Sequence, residues 1–191
     1  MGEEIGIYYH TSDGQTEKVA EYIGNWLRER GRWSVIVEEI GRRQREPIWP
    51  MPTAMVVGAP VHGGEFAARV RRFVELHRSR LETTVSAFFA LSLSEADANE
   101  GRRQEVHHII DQWLEAMEWK PDEVASIAGA TPFSRYGRLK RWVMRKVVAE
   151  LNPGADVDED REYTDWEAVN SFADRIAERV DVARAARPGT R

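Results

Sequence analysis

The chain has 191 residues, 42% hydrophobic and 31% charged, with a formal charge of −5, a composition that suits one large domain in water. It contains no cysteine, which excludes disulfides, thiolate zinc sites, cysteine-held iron–sulfur clusters and nucleophilic thiols. Net acidity argues against a nucleic-acid footprint over the whole domain, and no apolar run approaches the roughly 20 residues of a membrane helix. Any anion site must therefore be local.

Met1-Gly2-Glu3-Glu4 is acidic and lacks the basic start and apolar stretch of a signal peptide, so the expected address is the cytoplasm. Ile5 to Tyr9 is a short run of β-formers, followed by the turn-like Thr11-Ser12-Asp13-Gly14 and then by Val19, Tyr22, Ile23, Trp26 and Leu27 at helical period. Gly31 is placed to end that helix. Trp33 to Val37 alternates as a second strand, and a Pro- and Trp-containing connection runs from Pro47 to Pro52. Ala54 to Val57 reads as a third strand covered on both faces, stopped by Gly58-Ala59-Pro60. Phe66, Val70, Phe73 and Val74 mark a second helix, and Val85 to Leu91 a fourth strand. Val106, Ile109, Ile110, Trp113, Leu114 and Met117 mark a third helix, and Val124 to Ala128 a fifth strand. Strands alternating with helices at this spacing predict an α/β fold: one parallel sheet, doubly wound, with helices on both faces.

The closing helix is announced by Thr164-Asp165-Trp166-Glu167 at capping-box spacing, with Trp166, Val169, Phe172, Ile176 and Val180 on one stripe. One domain over residues 1–181 is expected, with an insertion at about 131–162 and a tail from Val182 to Arg191 that frays. The insertion far exceeds an ordinary connection. Within it Leu139, Trp142, Val143 and Val147 recur at helical period among Arg135, Arg138, Lys140, Arg141, Arg145 and Lys146.

Three loops are candidate ligand contacts. Thr11-Ser12-Asp13-Gly14-Gln15-Thr16 lies between the first strand and the first helix, where free N–H groups and the positive end of the helix dipole suit a phosphate. It lacks the lysine of a Walker sequence and the three glycines of a dinucleotide fingerprint, so a monophosphate fits better than ATP or NAD, and a plain polar cap is the alternative. Pro60-Val61-His62-Gly63-Gly64 follows the third strand, and Ser92-Leu93-Ser94 follows the fourth. Both fall at the carboxyl edge of a parallel sheet, where ligands of open α/β sheets sit. A planar cofactor would fit there.

These loops, Ile127-Ala128-Gly129-Ala130, Arg135-Tyr136 with the basic segment after it, and Tyr163-Thr164-Asp165-Trp166-Glu167 give the chain its resemblance. It is similar to flavodoxin-like proteins and, within that fold, resembles the menaquinone-dependent protoporphyrinogen IX dehydrogenases of haem biosynthesis over most of its length. The resemblance implies a five-stranded sheet of order 2-1-3-4-5 and FMN as cofactor. It puts the FMN phosphate on Thr11, Ser12, Asp13, Gly14, Gln15 and Thr16, and the ring between Pro60 to Gly64 and Ser92 to Ser94. Flavin N5 would then accept hydride equivalents from protoporphyrinogen IX, with menaquinone as final acceptor, and no side-chain nucleophile is required. Arg135, Arg138, Lys140, Arg141, Trp142 and Arg145 would meet porphyrin propionates or an anionic membrane surface, giving peripheral attachment to the inner face of the cell membrane. A solvated amphipathic helix is the alternative for that segment.

His62-Gly63 stands where the family carries an Arg-Tyr pair, which implies a wider or differently charged pocket, with His62 a candidate proton relay. Asp156, Asp158, Asp160 and Glu167 match calcium-loop spacing, but Arg161 occupies the position that needs glycine, so no metal is expected. A flavodoxin-like electron carrier, an NAD(P)H:quinone reductase and a cofactor-free interaction domain remain as alternatives.

Overall fold

The computed structural model describes residues 4–30, 33–41, 52–131 and 160–186. Five parallel strands, β1 (Glu4–Tyr9), β2 (Ser34–Glu39), β3 (Ala54–Pro60), β4 (Val85–Ser92) and β5 (Glu123–Ala128), form one sheet of order β2-β1-β3-β4-β5. Helices α1 (Gln15–Glu29), α2 (Ala68–Leu81), α3 (Glu100–Ala116) and α4 (Trp166–Ala185) cover it. A short 3₁₀ turn, Leu93–Ala96, follows β4.

Side-chain alternation along the strands sorts the apolar residues into two cores. Ile5, Ile7, Val56, Phe89 and Leu91 meet Val19, Ile23 and Leu27 of α1 and Phe172 and Ile176 of α4 on one face. Tyr8, Met55, Val57, Phe88 and Ala90 meet Val70, Phe73 and Val74 of α2 and Ile110, Trp113 and Leu114 of α3 on the other. Every residue of β3 is buried, as its unbroken apolar run requires.

The structure departs from expectation at several boundaries. Gly58-Ala59-Pro60 does not stop β3: Gly58, Ala59 and Pro60 stay in register with Phe89, Ala90 and Leu91. Pro60 is tolerated as the last strand residue, and Gly58 leaves room for Phe89, whose ring atom Cζ would lie 2.0 Å from a Cβ built there. The second strand begins at Ser34 and continues to Glu39. The second helix starts at Ala68, with Phe66 buried just before it. Helix α4 starts one residue later than the capping-box spacing implies. Its cap is Asp165, whose carboxylate accepts the N–H groups of Glu167 and Ala168, while the Thr164 hydroxyl donates to the Ala128 carbonyl. Helix α4 also runs past Val182 to Ala185, with Val182 exposed and the last buried apolar residue at Val180. Backbone hydrogen bonds alone carry that final turn, so apolar period could not reveal it.

The ends of the insertion are zipped by a two-residue antiparallel pair that has no apolar pattern in the sequence: β6 (Ala130–Thr131) against β7 (Arg161–Glu162). Arg135 to Lys146, the segment Leu139 to Leu151, and Asp156 and Asp158 of the acidic stretch lie outside the described residues. No helix among the described residues is long and apolar enough to cross a membrane.

Candidate functional site

All five strands point the same way, so the connections leaving β1, β3 and β4 emerge at one edge of the sheet. They enclose a cavity of ≈ 430 Å³. The β1–α1 connection contributes Thr11, Ser12, Asp13, Gln15 and Thr16; the end of β3 and its loop contribute Pro60, Val61, His62, Gly63 and Gly64; Ser92, Leu93 and Ser94 close the third side. Of the loop residues expected at the site, Gly14 alone is absent from the lining and borders a neighbouring cleft with Lys18 and Glu162.

Gly14 caps α1 with φ 89° and ψ −9°, a left-handed conformation that a residue with a Cβ adopts only under strain. Its N–H donates to Thr11 Oγ1 at 2.8 Å, which ties the loop shut, and its carbonyl accepts the Lys18 N–H at 3.1 Å. The N–H groups of Gln15, Thr16 and Glu17 therefore stand at the open end of the helix without an intrahelical acceptor. Thr16 is 2% exposed and lines the cavity. A cavity-lining hydroxyl beside free helix N–H groups fits an anionic oxygen ligand.

The Gln15 side chain turns away from this anion position. Its Nε2 donates to Glu162 Oε1 at 2.7 Å and to Thr164 Oγ1 at 2.9 Å, and Lys18 Nζ donates to the same Glu162 carboxylate at 2.8 Å. Partial burial alone would raise the Glu162 pKa, but the hydrogen bonds from Lys18 and Gln15 and the lysine charge outweigh it and hold the carboxyl below its ordinary value. At the end of β1, burial with the nearby Glu17 carboxylate pushes the Tyr9 phenol up to about 12, and its hydroxyl donates to Glu17 Oε1.

The β3–α2 loop is a tight hairpin. His62 and Glu65 exchange both backbone hydrogen bonds, at 3.0 and 3.1 Å, across Gly63 and Gly64, whose φ values of 59° and 80° are those of a turn with two left-handed residues. His62 is exposed on the cavity rim. On the third side the backbone is less open than the small residues suggest. Ser92 Oγ accepts the Ser94 N–H at 3.2 Å, and the Ser92 carbonyl accepts the Gly129 N–H at 3.0 Å.

Sequence reasoning missed the fourth wall. Arg102, Glu105, Val106 and Ile109 of α3 line the cavity, with Leu91, Gly129 and Ala130 at its margins. Val106 and Ile109 carry the period of core residues and do pack in the core under α2 and α3, while also bordering the cavity. The Arg102 guanidinium is held at 3.1 Å by the buried Asp97 carboxylate. Glu95, next in chain to the cavity residue Ser94, is fixed by Ser126 Oγ at 2.6 Å and His107 Nε2 at 3.2 Å.

The lining is divided chemically. Hydroxyls and helix N–H groups come from the β1–α1 connection, and Pro60, Val61, Leu91, Leu93, Val106 and Ile109 supply apolar surface. Such a cavity can hold a flat apolar group with an anionic tail.

A family model described as a flavodoxin domain matches residues 6–158. Over 175 residues the chain is 31% identical to the protein named protoporphyrinogen IX dehydrogenase (quinone) of Escherichia coli, covering 92% of this chain and 95% of that one. Among solved structures it is similar to oxidised flavodoxin 1 from Bacillus cereus, with a TM-score of 0.55 and 16% identity over 94% of this chain and 98% of that one. It is likewise similar to an archaeal flavodoxin, with a TM-score of 0.51 and 15% identity over 93% and 99% of the two chains. With the order β2-β1-β3-β4-β5, the cavity at the carboxyl edge and these relatives, the chain belongs to the flavodoxin-domain family and, within it, to the family of quinone-dependent protoporphyrinogen IX dehydrogenases, which are oxidoreductases.

Proposed function

We propose that this protein binds FMN and oxidises protoporphyrinogen IX to protoporphyrin IX, with a quinone of the menaquinone type as electron acceptor, as a step of haem formation. The observation that carries the reading is the ≈ 430 Å³ cavity in which the β1–α1, β3 and β4 connections meet, in a chain of this family. Bound FMN would supply the two-electron chemistry that the side chains lack.

The residues present fit that group. The hydroxyls of Thr11, Ser12 and Thr16 and the backbone N–H groups of Asp13, Gln15 and Thr16 hold the phosphate, with Gly14 setting the turn that aims them. Pro60, Val61, His62, Gly63 and Gly64 on one side and Ser92, Leu93 and Ser94 on the other bracket the ring, and Val106 and Ile109 exclude water from its end. His62 on the rim relays protons between substrate and solvent. Over the full reaction six electrons and six protons leave the porphyrinogen, and three quinones become quinols.

Arg135, Arg138, Lys140, Arg141 and Arg145 pair with substrate propionates or with an anionic membrane surface that carries the quinone, and Trp142 adds apolar contact. Binding to the inner face of the cell membrane then appears as sedimentation with anionic vesicles at low salt, and its absence counts against the membrane arm.

The experiment that tests the reading is anaerobic incubation of the FMN-loaded protein with protoporphyrinogen IX and a menaquinone analogue, followed by porphyrin fluorescence. Fluorescence that requires protein, FMN and quinone together is the expected result. Silence from protein whose absorption shows bound FMN rejects the substrate and favours a flavodoxin-like carrier, or an NAD(P)H:quinone reductase if NAD(P)H bleaches the flavin.

A further inference from the structure

We infer that Thr164 is a positioning residue for the phosphate end of the site, acting through Gln15. Thr164 lies in Tyr163-Thr164-Asp165-Trp166-Glu167, a stretch that contributes nothing to the cavity lining. The capping role its spacing suggests belongs instead to Asp165. What Thr164 does is join two elements on either side of the anion position. Its hydroxyl donates to the Ala128 carbonyl at the end of β5 at 2.9 Å and accepts Gln15 Nε2, also at 2.9 Å. One hydroxyl with a single proton is thereby used in both directions, which fixes its rotamer.

Gln15 is the first residue of α1, and its backbone N–H is one of the unpaired donors at the helix end. Anchoring its side chain to Thr164 and Glu162 pins the first turn of α1 against the end of β5. An anion site made of backbone N–H groups binds well only when those groups are already aimed, so loss of the anchor weakens the phosphate contact while leaving the ring contacts alone. Glu162 is the other acceptor, but it carries charge and engages Lys18, so changing it alters the field at the site as well as the anchor. Thr164 can be altered without changing charge.

This inference rests on the FMN reading, and the test separates the two. Thr164→Val, Thr164→Ser and Gln15→Leu are made in the full chain, and flavin fluorescence is used to titrate each with FMN and with riboflavin, which has the same ring and no phosphate. Thr164→Val is expected to weaken FMN about fivefold, the effect of one lost hydrogen bond, with riboflavin affinity unchanged. Thr164→Ser is expected to restore FMN affinity, and Gln15→Leu combined with Thr164→Val to be no worse than Gln15→Leu alone. Unchanged FMN affinity in Thr164→Val, or an equal loss for FMN and riboflavin, overturns the inference, the latter marking a residue that merely supports the fold. Failure of the unaltered protein to bind FMN overturns the functional reading and this inference with it.

Discussion

Gly58 shows how far single atoms are constrained inside the sheet. A Cβ on Gly58 would meet three ring atoms of Phe89 at 2.0 to 2.6 Å, and Phe89 is fully buried in the core against Phe172. Gly58→Ala should therefore cost about 1–3 kcal/mol in a urea unfolding experiment, the range for an overpacked core. Phe89→Leu in the same chain should cost less than the two changes summed, because the ring that makes the clash is gone. His77 is constrained by polarity rather than by volume. It is 1% exposed, lies 4.5 Å from the Phe73 ring centroid, and neither ring nitrogen has a hydrogen-bond partner. Burial lowers its pKa below the ordinary 6.5, so the unfolded chain takes up a proton before the folded one does. Stability is then intact above about pH 6.5 and falls as acid is added, by at most about 1.4 kcal/mol per pH unit until the folded-state value is passed. His77→Leu should flatten the unfolding free energy between pH 5 and 6.5, and a slope that persists in that variant would place its origin elsewhere.

The elements were legible from the sequence where burial imposes a period, and illegible where hydrogen bonds alone decide. The five strands and the helices α1, α3 and α4 follow from apolar positions at the spacing of two or of 3.6 residues. The overrun of β3 through Gly58-Ala59-Pro60 is not legible, because Gly and Pro signal a strand end by local preference while register with β4 decides the outcome. Neither is the β6–β7 pair, too short to carry any pattern. At the start of α4 two residues compete for one role. Thr164 has the right spacing for a cap, yet Asp165 accepts the N–H groups of Glu167 and Ala168 at 3.0 and 3.1 Å. Asp165→Ala should lower unfolding free energy by about 1 kcal/mol, the usual loss of a cap, and leave the ratio of FMN to riboflavin affinity where it was. A change in that ratio would mean that the cap, and not the Thr164 bridge, aims the first turn of α1. Elsewhere α4 is fastened to β5 by Glu123, whose carboxylate receives Arg175 at 2.8 Å and Arg179 at 3.0 Å.

For the molecule as a whole, the parallel sheet does the assembling. Loops separated by tens of residues meet at one edge because each crossover returns the chain to the same end, and that consequence of alternating strand and helix periods could be read without coordinates. The fourth wall could not, since Val106 and Ile109 serve the core and the cavity at once, and apolar period shows only the first of these roles. The same geometry ties ligand to stability. The three cavity-forming connections belong to β1, β3 and β4, whose side chains fill both cores, so a ligand that bridges them exists only on the folded chain. FMN present at 100 times its Kd should then add about 2.7 kcal/mol, which in a chain of this size raises Tm by roughly 5–10 °C. Riboflavin at the same concentration should raise it less, because it leaves the helix N–H groups unsatisfied. A thermal melt followed by circular dichroism checks both. Equal shifts from the two ligands would mean that the phosphate adds no binding energy, and that the helix N–H groups of the β1–α1 connection do not bind it.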